Sequence, residues 1–302
     1  MKIADVAKMS PLDRFLYWVK ERHNIFLRRR AGKPRPWTDD EVMQSVFFTN
    51  PYRENDKTTV WFRENVREPL RNDPKVLFAV IAFRWFNLSA TGELLMTSPN
   101  LLLNWDEQDA INRLKEANRL GPVFTGAFMI KVGNGPPGCK IPQVCQAISN
   151  VWQVRDHTLS QWRPDCTMEE AHKSLMKFRG LGGFMAYEIV CDLRYTYLLE
   201  DATDIDTWCN LGPGAARGLL RMTGQPLTIA KSGRMRDTIP KPPKDWITRL
   251  QGILTTLKQR LPKMPKFELR EVEHSLCEWD KYERALSGIG RLKRLYQGGH
   301  NA

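Results

Sequence analysis

The sequence holds no C-x-x-C pair and only five histidines, none at finger-like spacing from Cys139, Cys145, Cys166, Cys191, Cys209 or Cys277. That excludes the common zinc modules, points to six reduced thiols and leaves no metal expected at a site. No stretch is long and apolar enough to span a bilayer. The N-terminus, Met1 to Phe15, has no apolar run ahead of a small-residue cleavage site, so a cytoplasmic protein is expected. Strand-like alternation is scarce and no repeat recurs at a fixed period, which argues against sheets and solenoids. A phosphate-cradling P-loop is missing too. The richest turn-forming run, Gly133-Asn134-Gly135-Pro136-Pro137-Gly138, continues into Cys139-Lys140-Ile141, without the Gly-Lys-Ser/Thr ending or the hydroxyl that magnesium needs. It reads as a plain loop, and no cofactor is expected.

What the sequence does have is helix grammar and positive charge. Of 302 residues 42% are hydrophobic and 26% charged, enough for a core, and the length suits two lobes. Ser10-Pro11 reads as a helix start running through Phe15 and Val19 to a stop near Gly32. Thr38 with Glu41 and Thr167 with Glu170 read as capping boxes. Val76 to Phe86 reads as a buried helix, Asp106 to Gly121 as an amphipathic one, and further helices are expected from Ile141 and over Pro243 to Leu261 and Glu268 to Leu286. The fold class is all-α. The expected lobes are 1–135, 136–240 carrying a glycine turn, and 241–302 packing back on the first. The 46 Lys and Arg against 34 Asp and Glu give a formal charge of +12, which favours a polyanionic partner through counterion release.

The most informative stretch is Phe178-Arg179-Gly180-Leu181-Gly182-Gly183-Phe184-Met185-Ala186, set between two expected helices. Glycines at 180, 182 and 183 permit positive φ and uncover backbone N–H groups at a helix start, which suits a DNA phosphate. An ordinary αα-corner also favours glycine. The motif, with Asp206-Thr207 placed 26 positions after Gly180, resembles the helix-hairpin-helix DNA glycosylase superfamily. That resemblance implies two helical lobes with the active site between them, a flipped base, and Asp206 as the carboxylate that activates a nucleophile or offsets developing positive charge. Asp204 is its neighbour and rival, and helix capping by Asp206 is the alternative role. Phe184 and Met185 stand where strand-cleaving members carry a lysine, so Schiff-base chemistry is not expected.

A narrower resemblance spans most of the chain. Trp37-Thr38-Asp39-Asp40, the run Phe47 to Asp56, Arg84-Trp85-Phe86-Asn87, Phe124-Thr125-Gly126-Ala127, and Glu273 to Glu278 with Lys281-Tyr282 resemble the phage α-glutamyl/putrescinyl thymine pyrophosphorylases, or amino acid:DNA transferases. The resemblance implies double-stranded DNA carrying a modified pyrimidine as substrate and a free amino acid or polyamine as co-substrate. It also implies a 5-hydroxymethyluracil DNA kinase in the same pathway, and the host cytoplasm as location. The reaction is displacement of pyrophosphate from 5-(pyrophosphoryloxymethyl)uracil by an amine, by direct displacement or by elimination and addition. Lacking a P-loop, the chain is not expected to make that substrate itself.

For the site we single out Asp206 as catalytic, and Asn50, Arg53, Asp56, Arg84, Asn87 and Lys281 for base and pyrophosphate. Lys57 and Arg284 are further candidate cations. Guanidinium grips phosphate oxygens bidentately, and the asparagine amides match a pyrimidine edge. Tyr52, Trp85 and Trp208 are candidates to stack on the base, although most aromatics simply pack. Gly180, Gly182 and Gly183 are assigned to the DNA backbone. The rival functions are a monofunctional glycosylase that releases a base and a non-catalytic DNA-binding module.

Overall fold

A computed structural model describes residues 3–128, 130, 132, 139–224 and 242–288. The glycine loop at 133–138 and the expected boundaries at 135 and 240 lie outside them. Thirteen α-helices follow one another among the described residues: α1 (Ile3–Ala7), α2 (Pro11–Arg30), α3 (Glu41–Ser45), α4 (Lys57–Phe62), α5 (Val76–Phe86), α6 (Ser89–Met96), α7 (Glu107–Leu120), α8 (Lys140–Ser160), α9 (Met168–Leu175), α10 (Gly183–Leu193), α11 (Pro213–Met222), α12 (Trp246–Arg260) and α13 (Leu269–Leu286). A 3-10 turn spans Arg53–Asn55 and a π-turn Arg63–Arg67. No strand occurs among the described residues, so the class is all-α. No helix there is long and apolar enough to cross a membrane.

The chain divides into two compact units, Met1–Asp56 with Ile205–Ala302, and Lys57–Asp204. The first unit is discontinuous, and its limits differ from the three expected segments. Within it α13 lies against α2 and α3. Arg14 grips Glu283 through two hydrogen bonds of 2.9 and 3.0 Å. Close approach of α11 to α13 depends on small residues: a Cβ on Gly214 would stand 2.3 Å from Cys277 Sγ, and one on Gly218 2.4 Å from the Leu276 carbonyl oxygen. Beside that seam the fully buried Asp280 receives Arg217, Arg221 and Arg284 at 2.9, 2.8 and 3.3 Å. Arg284 is thus occupied internally.

The second unit is built around α5. All eleven of its residues are buried, as expected for a helix apolar all round, and α8 and α10 pack on it. Each large apolar side chain removed from water there contributes about 1.5–3 kcal/mol. The helix ends at Asn87 in the left-handed region, φ 47 and ψ 46, a conformation asparagine tolerates at a C-terminus.

Most helix starts follow the sequence signals. Ser10 caps α2 with Pro11 at the first turn, Asp106 caps α7, and Thr167 with Glu170 closes a complete capping box on α9. One cap is corrected: α3 is capped by Asp40, whose Oδ1 accepts from the Met43 N–H at 2.9 Å. Thr38 instead accepts from the Asp40 N–H. Asp40 is held there because its Oδ2 also takes the hydroxyls of Tyr17 and Tyr282 at 3.1 and 2.7 Å.

Candidate active site

In the second unit, α9 and α10 are joined by a glycine turn. Gly180 sits at φ +90, where an L side chain is strained, and its missing Cβ would lie 2.6 Å from the Trp85 ring. Trp85 is 1% exposed, so it backs the turn and is not a surface for a base. Gly182 is the N-cap of α10 and has open space around it. His172 Nε2 lies 2.8 Å from the Gly183 carbonyl oxygen, and burial lowers the ring's proton affinity. A neutral ring donating from Nε2 then ties α9 to the start of α10. Gly180→Ala is expected to cost about 1–2 kcal/mol from the backbone alone, with displacement of Trp85 in addition. A lower melting temperature checks it.

Two expected ligands, Arg84 and Asn87, prove to be part of the support for this turn. Arg84 is 1% exposed. Its Nε and Nη2 meet both oxygens of the fully buried Asp192 on α10 at 2.5 and 2.8 Å, and its Nη1 donates to Asn87 Oδ1 at 2.5 Å. The guanidinium is neutralised in place and clamps α5 to α10. Beside the turn, Phe184 is 51% exposed and meets Phe128 edge-on at 4.9 Å between centroids.

Asp206 and Asp204 are clearly distinguished. Asp204 accepts the Met168 and Glu169 N–H groups at 2.8 and 3.0 Å, so both its oxygens are spent on the start of α9. Asp206 lies in the turn at 203–207, well before α11, whose N-cap is Gly212; it caps no helix. Its Oδ2 accepts from Lys258 Nζ at 2.8 Å, and its Oδ1 is buried without a partner. With side chains 42% and 40% exposed, the pair is open to solvent and its mutual attraction is modest.

The first unit also assembles the run Phe47 to Asp56 against α13. Asn50 donates from its backbone and from Nδ2 to Asp56 Oδ1 at 3.0 and 2.8 Å, and from Nδ2 to the Asn55 carbonyl at 3.1 Å. Its Oδ1 is buried with no partner. Arg53 is buried in the 3-10 turn between them. Tyr52 packs on Phe267 and donates to the Pro265 carbonyl, which makes it core. Thr49 donates its N–H to Glu278 Oε2 at 3.0 Å, and its Oγ1 lies 2.9 Å from His274 Nε2. Lys281 donates to the Phe47 carbonyl and, at 3.3 Å, to Glu278. It therefore holds this loop on α13. Lys57 is exposed and Trp208 partly so.

Burial pushes the Asp56 carboxyl above its usual range, against the pull of His274 and the Asn50 donors. Burial acts likewise on Glu278, but there Lys281, His274 and the Thr49 N–H outweigh it and the carboxyl falls below its usual range. A raised folded value means that Asp56 favours folding below the ordinary carboxylate value, and that this contribution is lost as pH rises through the raised one. Asp56→Asn keeps an acceptor for Asn50 and removes that loss. Its melting temperature is expected to fall less than the wild type's, or to rise more, between about pH 4 and about pH 7, read by thermal unfolding at both.

Several of these groups escaped the sequence reading. His274 and Glu278 stood in a quoted segment without a role, and Thr49 likewise; Lys258 looked like any surface lysine of α12. Comparison with known proteins adds the lineage. Residues 10–290 match the family described as "5-hmdU DNA kinase, helical domain". The chain is 27% identical over 228 residues to the 5-hmdU DNA kinase of Bacillus phage SP10, a match covering 68% of this chain and 35% of that protein. The chain thus spans about a third of that relative's length. No solved structure matches it. With almost its whole length matched, the chain belongs to the helical-domain family of the 5-hmdU DNA kinases, a phage DNA-modification family.

Proposed function

We propose that this chain is a DNA base-hypermodifying transferase. Its substrate is 5-(pyrophosphoryloxymethyl)uracil in duplex DNA, rotated out of the stack, and it joins an amine to the methylene carbon as pyrophosphate leaves. The observation that carries this reading is the Asp206–Lys258 pair. A carboxylate in an open turn, with one oxygen on a primary ammonium and the other without a partner, is already shaped for a primary amine. An incoming amino acid or polyamine takes the place of Lys258 on Asp206. The displaced Lys258 ammonium then meets the departing pyrophosphate, to which Arg53 is also assigned. Asn50 and Asp56 are assigned to the base edge. Arg84, Asn87 and Lys281 act at one remove by holding α10 and the 47–56 loop. The glycine turn, read as a helix-hairpin-helix, takes a DNA phosphate at Gly182 and Gly183, and Phe184 offers an aromatic face beside it.

The name of the phage SP10 relative supports the base, since that protein is a kinase of 5-hmdU DNA. It also favours a second reading, in which this chain presents 5-hydroxymethyluracil to a phosphotransfer centre outside these residues. Pyrophosphate release separates the two. Duplex bearing the pyrophosphorylated base is mixed with the protein and an amine, without ATP. Amine-dependent pyrophosphate supports the transferase; activity only on unphosphorylated 5-hydroxymethyluracil with ATP and a kinase supports the presenting role; a free base would mean a glycosylase.

A further inference from the structure

We infer that His274, working through the Thr49 hydroxyl, is the base that strips the amine co-substrate of its proton. The inference rests on the transferase reading above and adds to it a proton acceptor distinct from Asp206, whose Oδ2 is held by Lys258 at 2.8 Å. Thr49 and His274 are both partly exposed, their Oγ1 and Nε2 are 2.9 Å apart, and Thr49 is fixed through its backbone. The Thr49 N–H is anchored on Glu278, itself paired with Lys281. Next in the chain, Asn50 is 7% exposed and keeps a buried Oδ1 with no partner, an acceptor in want of an N–H donor. The segment after Asp206 is tied to the same helix, where the Gly212 N–H donates to Glu273 Oε1 at 3.0 Å.

The proton path balances. With its own proton on Nδ1, the imidazole accepts the Thr49 hydroxyl proton at Nε2 while Thr49 Oγ1 takes one from the ammonium. The freed nitrogen lone pair forms the C–N bond. The C–O bond to pyrophosphate breaks with its electrons leaving on pyrophosphate, and the secondary ammonium sheds its extra proton to solvent. The charged groups facing His274 are Asp56 from the loop and Glu271 and Glu278 from its own helix, with Arg22 of α2 acting on Asp56.

The test is single-turnover amine transfer at saturating amine, across pH, for wild type, His274→Gln, Thr49→Val and Thr49→Ser. The expected result is a loss of about 100-fold in kcat for His274→Gln and Thr49→Val, with Thr49→Ser retaining most activity. The acid-side fall of the wild-type profile should vanish in His274→Gln. If His274→Gln does not fold, the Thr49→Val and Thr49→Ser rates decide. Wild-type rate and pH profile in His274→Gln overturn the assignment and leave the transferase standing; no amine product from wild type overturns both.

Discussion

Asp206→Asn is expected to lower the amine-transfer rate by about 100-fold or more while DNA binding is retained. The substitution preserves size and shape in an open turn, so the fold has little to lose. What disappears is the negative charge that Lys258 now occupies at 2.8 Å. Without it the amine has no counter-ion beside the reacting carbon, and a cationic intermediate has no stabiliser. DNA affinity should hold because the glycine turn proposed to bind it is untouched, and removing one carboxylate from a chain of charge +12 favours a polyanion slightly. Single-turnover rates beside a salt-matched binding isotherm check both halves. A variant that transferred amine at the wild-type rate would remove Asp206 from the chemistry.

The largest stability effect is expected at Asp192. Its carboxylate is fully buried and receives two hydrogen bonds from Arg84. Asp192→Ala leaves a guanidinium, 1% exposed, without its counter-ion, a change that costs about 3–5 kcal/mol. In a unit of this size that lowers the melting temperature by on the order of 10 °C. Replacing both partners with apolar residues of similar volume should return much of the loss, since the cost comes from the orphaned charge and not from the missing pair. DNA affinity is expected to drop along with stability in the single variant, because Arg84 holds the helix that begins at Gly183. Calorimetry of the single and double variants, with binding on each, distinguishes a lost clamp from a lost DNA ligand.

The contrast between Arg84 and Asp206 shows what the sequence could reveal. The Asp206 assignment rests on a cue that is local and spaced: a glycine turn and then an Asp-Thr at a fixed interval. Arg84 looked like a free cation because the residue that neutralises it lies 108 positions away, and ion pairs of that range leave no mark on a local pattern. Lys258 was invisible on Asp206 for the same reason.

Among the helices, α2, α7 and α9 announced themselves through side-chain caps, which act within three residues. The start of α11 did not. Gly214 and Gly218 are small because Cys277 and the Leu276 carbonyl of α13 pass beside them, a requirement set by tertiary packing. The unit boundaries were illegible on similar grounds. A compact unit assembled from both ends of the chain produces no shift in composition where it is interrupted.

The most direct test of the transferase account is nucleoside mass spectrometry of duplex DNA bearing 5-(pyrophosphoryloxymethyl)uracil, incubated with the protein and a mixture of amino acids and polyamines. The account predicts a nucleoside in which an amine has replaced pyrophosphate on an intact glycosidic bond, absent with Asp206→Asn. Recovery of the starting nucleoside unchanged, or loss of the base from the sugar, would contradict it.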